Sequence, residues 1–323
     1  MVNDYFYTTN PRIVELIARI NTYKTLFEKF PKLPQIHENL LRRSTLKSSL
    51  FSAKIEGNTL ELYDIEFGST KSKERRAVLQ IFSALKLLRS HKTLITEEFI
   101  CKLHSIIMDG LTSDLGRYRH EPSAIFNSEG FDVYIPPPPQ KVPKLMDELI
   151  TYLNISDADL SRIAIAHFVF EKIHPFLDGN GRIGRILMNW QLARLGFGFA
   201  GLISFEEYLE NSRERYYDGL SIKGHDITQF IEFILEAIAV SSEKVILELQ
   251  EKKEEKIEDT LLPRRSEILL MIREHSMMSF DQIKRRFLAV NSRTLHYDLE
   301  HLIKKRLIRK LGSTKGTVYV PFQ

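Results

Sequence analysis

His174-Pro175-Phe176-Leu177-Asp178-Gly179-Asn180-Gly181-Arg182-Ile183-Gly184-Arg185 is the stretch from which the rest of the chain is best read. Gly179 and Gly181 lack a Cβ, so the backbone can turn tightly and lay its N–H groups against a ligand. Ile186, Leu187, Met188, Leu192 and Leu195 recur at helical spacing, which predicts a helix beginning near Arg182. A loop of N–H groups feeding a helix N-terminus is an anion site, because unpaired donors and the helix dipole both favour negative charge. Asp178 stands at the lip of that site, where a hard oxygen ligand suits Mg²⁺ on bridging phosphates. Arg182 and Arg185, three apart, share one helix face and can grip phosphate oxygens in bidentate fashion. His174, with an ordinary pKa of about 6.5, is the group here able to accept a proton near neutrality. Phe176 reads as a buried anchor for the loop. The plainer alternative is a structural helix start with solvated charges, and the company of His174, Asp178 and Asn180 weighs against it.

The run resembles the signature of the Fic (Fic/Doc, or Fido) family, H-x-F-x-D/E-G-N-G-R-x-x-R, at every specified position. The resemblance implies a mainly α fold: a Fic-type helical core, a small β-hairpin flap and, in this chain, a further C-terminal domain. It also implies an activity, transfer of AMP from Mg-ATP to a Ser, Thr or Tyr hydroxyl of a protein target (AMPylation). Carried over by position, His174 deprotonates the hydroxyl and Asp178 holds Mg²⁺. Gly179, Asn180 and Gly181 cradle the α- and β-phosphates, and Arg182 and Arg185 hold the outer ones. In-line transfer at phosphorus asks mainly for positioning and charge neutralisation, so this division of labour is chemically sound. Ala164 to Ile173 looks like the helix that precedes the motif, and Gly116-Arg117-Tyr118-Arg119 like the lead-in to the flap. The flap itself would be Ile125-Phe126 and Val133-Tyr134 around Asn127 to Gly130, a hairpin edge able to register an extended target segment. Pro136 to Pro139 then forms a stiff spacer before a helix from Val142. Tyr216 and Tyr217 resemble the family's nucleoside-pocket segment; an Asn that some relatives place shortly afterwards has no match here.

Ser52-Ala53-Lys54-Ile55-Glu56-Gly57 resembles the family's inhibitory motif S/T-x-x-x-E-G/N, on a helix expected from Ser44 to Glu56 with Gly57 as its stop. The resemblance implies that Glu56 pairs with Arg185 and restrains the enzyme. In some relatives the same Glu supports removal of AMP, a second activity kept as an alternative.

With 323 residues and 43% hydrophobic content, the chain can bury a substantial core. The single cysteine, Cys101, excludes an intramolecular disulfide and suits a reducing compartment. No apolar stretch approaches the ~18–20 residues of a membrane span, and the start lacks the pattern of a signal peptide. The expectation is a cytoplasmic protein without a membrane partner. Four regions are expected: 1–95 helical with the inhibitory motif, 96–245 the catalytic core, 246–261 a charged helical connector, and 262–323 a small basic domain.

Charge is unevenly spread. Residues 262–323 hold thirteen Lys and Arg against five Asp and Glu, a net of +8, while the remainder carries −4. Their pattern predicts helices at 266–274, 280–287 behind Ser279 and 293–305 behind Ser292, then strands at 307–311 and 317–320 about a Gly312–Gly316 turn. This resembles a winged helix-turn-helix module. Arg293, Thr294, Tyr297 and His301 would face outward on the third helix, where such modules read a major groove. Lys310 and Lys315 on the wing could meet phosphates. Such modules also serve protein contacts, so DNA, the protein itself as target, and a homodimer stand as alternative partners. Rival readings of the whole are a nucleotide-sensing DNA-binding regulator, or Fic-type transfer of a different phosphate-linked group.

Overall fold

A computed structural model describes residues 1–30, 34–67, 72–91, 93–126, 132–155, 159–254, 261–312 and 316–322. They group into two compact units, Met1–Lys32 with Leu40–Leu60 and Lys71–Glu248, and Leu33–Asn39 with Glu61–Thr70 and Leu249–Gln323.

The first unit is helical. In chain order it contains α1 (Pro11–Glu28), most of α2 (Pro34–Ile55), then, past α3 (Leu62–Phe67) of the second unit, α4 (Lys73–Ser90) and α5 (Glu97–Met108). The hairpin β1 (Ile125–Phe126) and β2 (Asp132–Tyr134) follows, then α6 (Val142–Leu153), α7 (Ser161–Ile173), α8 (Asn180–Arg194), α9 (Glu206–Asn211), α10 (Arg213–Leu220) and α11 (Thr228–Glu254). Local chemistry sets the ends. Asn10 caps α1 by accepting from the Ile13 N–H at 3.0 Å, with Pro11 at the first helical position. Ser72 and Thr96 cap α4 and α5 likewise.

At the centre α7 packs on α8. Every residue of α7 but Arg162 is buried, as befits a helix apolar on nearly all sides. The helix carrying the Ser52–Glu56 motif starts at Pro34, ten residues ahead of the expected Ser44, because Pro34 supplies a first-turn start that the Ser44 reading overlooked. It ends at Ile55, with Gly57 at φ +90°. In the hairpin, Ile125 pairs with Tyr134 and Phe126 with Asp132, so a bulge lies between the two pairs. The expected flap turn at 127–130 lies outside the described residues, as do the side chains of Ile125, Phe126 and Val133. Among the described residues no helix is long and apolar enough to cross a membrane.

The second unit carries α3, α12 (Pro263–His275), β3 (Met278–Ser279), α13 (Phe280–Arg286), α14 (Ser292–Lys304), β4 (Ile308–Leu311) and β5 (Val318–Pro321). The strands run antiparallel in the order β3-β5-β4; β3 was not anticipated, being two residues long and without alternation of its own. Ser279 and Gln282 form a reciprocal capping box on α13. Asn291, rather than Ser292, caps α14, accepting from the Arg293 N–H at 2.9 Å. Ile268, Leu269, Ile272, Ile283, Leu295, Leu299 and Leu302 make the core. α3 packs on α13, and the Tyr63 ring meets His275 edge-on at 5.4 Å. The charged connector is helical as far as Glu254, and residues 255–260 lie outside the described ones.

Candidate active site

The loop between α7 and α8 is built by its own polar side chains. Asn180 accepts from the Phe176 N–H at 2.9 Å and donates to the Phe176 carbonyl at 2.8 Å, closing the loop on itself. Both polar atoms of its amide are thereby engaged in the loop. Phe176 is fully buried and stacks on His104 at 3.9 Å with an 11° angle between the rings. Gly116 N–H donates to His104 Nδ1 at 2.9 Å, which leaves Nε2 as the donor to the Asp178 carbonyl at 3.0 Å. Burial, above all, holds the His104 pKa below its usual value. Nothing local in the sequence marked His104 for this role; its partners lie 12 and 74 residues away.

Gly179 adopts φ +84° and its Cα faces Met108, whose sulfur an added Cβ would meet at 2.7 Å. Only glycine fits there without strain. The first intrahelical bond of α8 runs from the Ile183 N–H to the Gly179 carbonyl at 3.1 Å. The N–H groups of Asn180, Gly181 and Arg182 precede it and are left for a ligand, at the positive end of the helix dipole.

His174 closes α7 in the left-handed region, at φ 48° and ψ 62°. Its Nδ1 is buried and has no hydrogen-bond partner among the described residues. Burial is the main cause that brings its pKa down to about 4, with the Arg119 cation acting in the same direction. The imidazole is therefore neutral at pH 7 and able to take a proton. Asp178 is 59% exposed at its side chain; Oδ1 accepts from the Gly179 N–H at 2.5 Å and from Arg182 at 3.0 Å, and Oδ2 is not engaged in those bonds.

Arg185 is 99% buried, since its exposure is 1%. Its Nε donates to Ser52 Oγ and its Nη2 to the Ser52 carbonyl, both at 2.9 Å, while Nη2 also reaches Glu56 Oε1 at 2.7 Å. Burial, the largest single cause, lowers the Arg185 pKa, but the Glu56 carboxylate with Tyr216 and Tyr217 together raise it further, and the net shift is upward. The end of α2 is held by Tyr217, whose hydroxyl donates to the Ile55 carbonyl at 3.1 Å, and by Arg213 on the Lys54 carbonyl. The tyrosine pair is thus split. Tyr217 is 45% exposed, whereas Tyr216 is buried, its hydroxyl 2.7 Å from His167 Nε2. Of the two, Tyr217 presents the exposed ring.

Sequence reading also passed over the buried groups under α8. His167 and Glu171 lie 4.0 Å apart and flank Gly184. Burial is the leading cause that brings the His167 pKa to about 3 and the Glu171 pKa to about 8, so both are neutral at pH 7.

In the second unit, Arg293, Tyr297 and Lys310 are exposed, while Thr294 and His301 are half-buried. Lys315 lies outside the described residues. Arg264 and Arg265, part of the positive balance, converge on the buried Asp298 at 2.5 and 2.7 Å.

Residues 94–192 match a family described as Fic/DOC. A protein adenylyltransferase Fic of Nematostella vectensis is 29% identical over 238 residues, covering 68% of this chain and 53% of its own length. A probable protein adenylyltransferase of Aquifex aeolicus is 33% identical over 131 residues, 40% of this chain and 39% of its own. The chain thus spans about half the length, or less, of these curated relatives. A crystal structure of a Fic family protein from Desulfovibrio desulfuricans superposes with a TM-score of 0.67 at 25% identity, covering 98% of this chain and 97% of that one.

Proposed function

We propose that this chain, whose residues 94–192 match the Fic/DOC family, is a protein adenylyltransferase that uses Mg-ATP and is restrained by its own Glu56. The observation that carries the reading is the placement of His174. A neutral imidazole with a partnerless Nδ1 stands one short loop before three free helix N-terminal amides and the buried Arg185.

In the proposed reaction the amides of Asn180, Gly181 and Arg182 take the phosphates, and Arg185 takes the terminal one once Glu56 withdraws. His174 removes the proton from a Ser, Thr or Tyr hydroxyl. The oxygen bonds to the α-phosphorus, the bond from that phosphorus to the bridging oxygen breaks, and pyrophosphate leaves. Asp178 is suited to Mg²⁺ because Oδ2 is left over from its bonds to Gly179 and Arg182 and the side chain is exposed. When bound, that ion would neutralise charge on the phosphates. The bulged hairpin at 125–134 offers an edge for the target segment.

The test is to incubate wild type, Glu56→Gly and His174→Ala with α-labelled or γ-labelled ATP, Mg²⁺ and a cell lysate. The α-label is expected in protein, more with Glu56→Gly and none with His174→Ala. Incorporation of γ-label would make the protein a kinase, and no transfer from Glu56→Gly would reduce it to a nucleotide sensor.

For residues 262–323 we propose a winged helix-turn-helix that meets DNA through α14. The exposed Arg293 and Tyr297, with Lys310 on β4, favour this reading. A salt-sensitive DNA mobility shift abolished by Arg293→Glu with Lys310→Glu is expected; a shift unchanged by both would refute it.

A further inference from the structure

Arg119 lies 55 residues before His174, outside the motif, and its hydrogen bonds among the described residues all run to backbone. Its own N–H donates to the Pro175 carbonyl at 2.8 Å. Nε donates to the His174 carbonyl at 2.8 Å, Nη1 to Glu121 at 3.2 Å, and Nη2 to Pro137 at 2.5 Å and Ile173 at 3.4 Å. One guanidinium thus joins three segments: the end of α7, the chain leading into β1, and the chain leaving β2. Arg119 is 3% exposed. Among the described residues no carboxylate pairs with it.

That arrangement is expensive for a purely structural purpose. A buried cation without a carboxylate partner carries a desolvation cost that carbonyls only partly offset, and an apolar side chain of similar volume would fill the space more cheaply. What the guanidinium alone supplies is a planar fork of five donors, able to fix several carbonyls at once. One of them belongs to His174, whose left-handed backbone is a conformation that persists only where the surroundings impose it.

We infer that Arg119 is a positioning residue that holds the His174 backbone in register and ties it to the hairpin where the target segment docks. The inference rests on the transfer reading above. Docking on β1 and β2 bears on Pro137, and Arg119 carries that constraint to the base. Its charge has a second effect. Together with burial it opposes protonation of the His174 ring, against the Glu171 backbone carbonyl, Glu56 and Asp178, which favour it.

The test compares Arg119→Lys and Arg119→Gln in a Glu56→Gly background, which is the positive control for transfer. ATP affinity, by calorimetry, is expected to stay within about twofold of the parent. Labelling of protein in a cell lysate from α-labelled ATP is expected to fall about tenfold or more in both, since a misplaced group loses rate steeply and a lysine cannot span these carbonyls. An NMR titration of the His174 imidazole should show its pKa raised in Arg119→Gln but not in Arg119→Lys, a change that loss of packing alone would not sort by charge. Labelling at the parent rate in Arg119→Lys overturns the inference, even if Arg119→Gln fails to fold. Should the Glu56→Gly parent itself not label, the transfer reading fails. The His174 resonances then decide: unchanged ring shifts in Arg119→Lys reject the positioning role, and displaced ones support it.

Discussion

Glu56 and Arg185 meet at 2.7 Å across 129 residues of chain, and Gly181 is the reason they can. A Cβ at position 181 would collide with that same carboxylate oxygen and lie 2.9 Å from Arg185 Nη1. The glycine of the proposed phosphate cradle is therefore also the space in which Glu56 sits. On the proposed reading, occupation of Arg185 by Glu56 and by a phosphate are alternatives.

Glu56→Gly leaves Arg185 buried with no carboxylate, so an anionic phosphate should take its place. A charge-assisted hydrogen bond contributes about 1.5–3 kcal/mol, and ATP affinity should rise roughly ten- to a hundredfold. Isothermal titration with Mg-ATP checks this, and equal affinity in the two proteins would mean that the pair does not compete with nucleotide.

Asn180→Ala strips both bonds from the Phe176 peptide and leaves a buried donor and acceptor unpaired. Each such loss costs about 1–3 kcal/mol. Thermal melting should drop by several degrees, with nucleotide binding weakened because the loop no longer holds its shape. A melting point equal to wild type would show that the amide bonds contribute nothing.

Glu171 gives stability a pH dependence whose sign follows from its raised pKa of about 8. Between the unfolded carboxyl value near 4.5 and that folded value, the native state holds a proton the unfolded chain has released. Its contribution is complete below about pH 4.5 and is lost as pH rises through about 8. Glu171→Gln should remove this falling component, worth up to about 5 kcal/mol at about 1.4 kcal/mol per pKa unit. Urea unfolding of both proteins at pH 5.5, 7 and 8.5 reads it; parallel curves would contradict the assignment. The opposite trend belongs to His167, whose pKa of about 3 makes stability rise with pH up to about 6.5.

Asp298→Ala leaves the nearly buried Arg265 without its carboxylate. Breaking a buried pair by removing one partner costs about 3–5 kcal/mol. The unfolding transition of the second unit should move to lower urea, while that of the first stays in place. A single unmoved curve would place Asp298 outside the stability of this unit.

Particular residues show how far the sequence could be read. The start of α8 to within two residues, the tight turn at Gly179 and the burial of Phe176 follow from neighbours within four positions, where spacing and conformational preference act directly. α13 was legible for the same reason, through Ser279 as its N-cap. The ten-residue error at the start of α2 came from a polar stretch without marked periodicity. His104, Arg119, His167 and Glu171 were not identified as site-shaping groups, because a buried His or Arg looks like any other until its distant partners are known.

The chain by itself determined the chemistry of one loop: a base, a carboxylate, two glycines and two arginines in a fixed order, together with a separate basic C-terminal region. Only the tertiary structure decided how these parts are occupied. It commits the Asn180 amide to the loop, buries Tyr216 while leaving Tyr217 open, and sets Glu56 on Arg185. It also encloses Arg119 among carbonyls drawn from three segments. The physical reason is range. Turn and helix signals act over a few residues, whereas burial, ion pairing and the proton affinities that depend on them arise only where distant segments exclude water together.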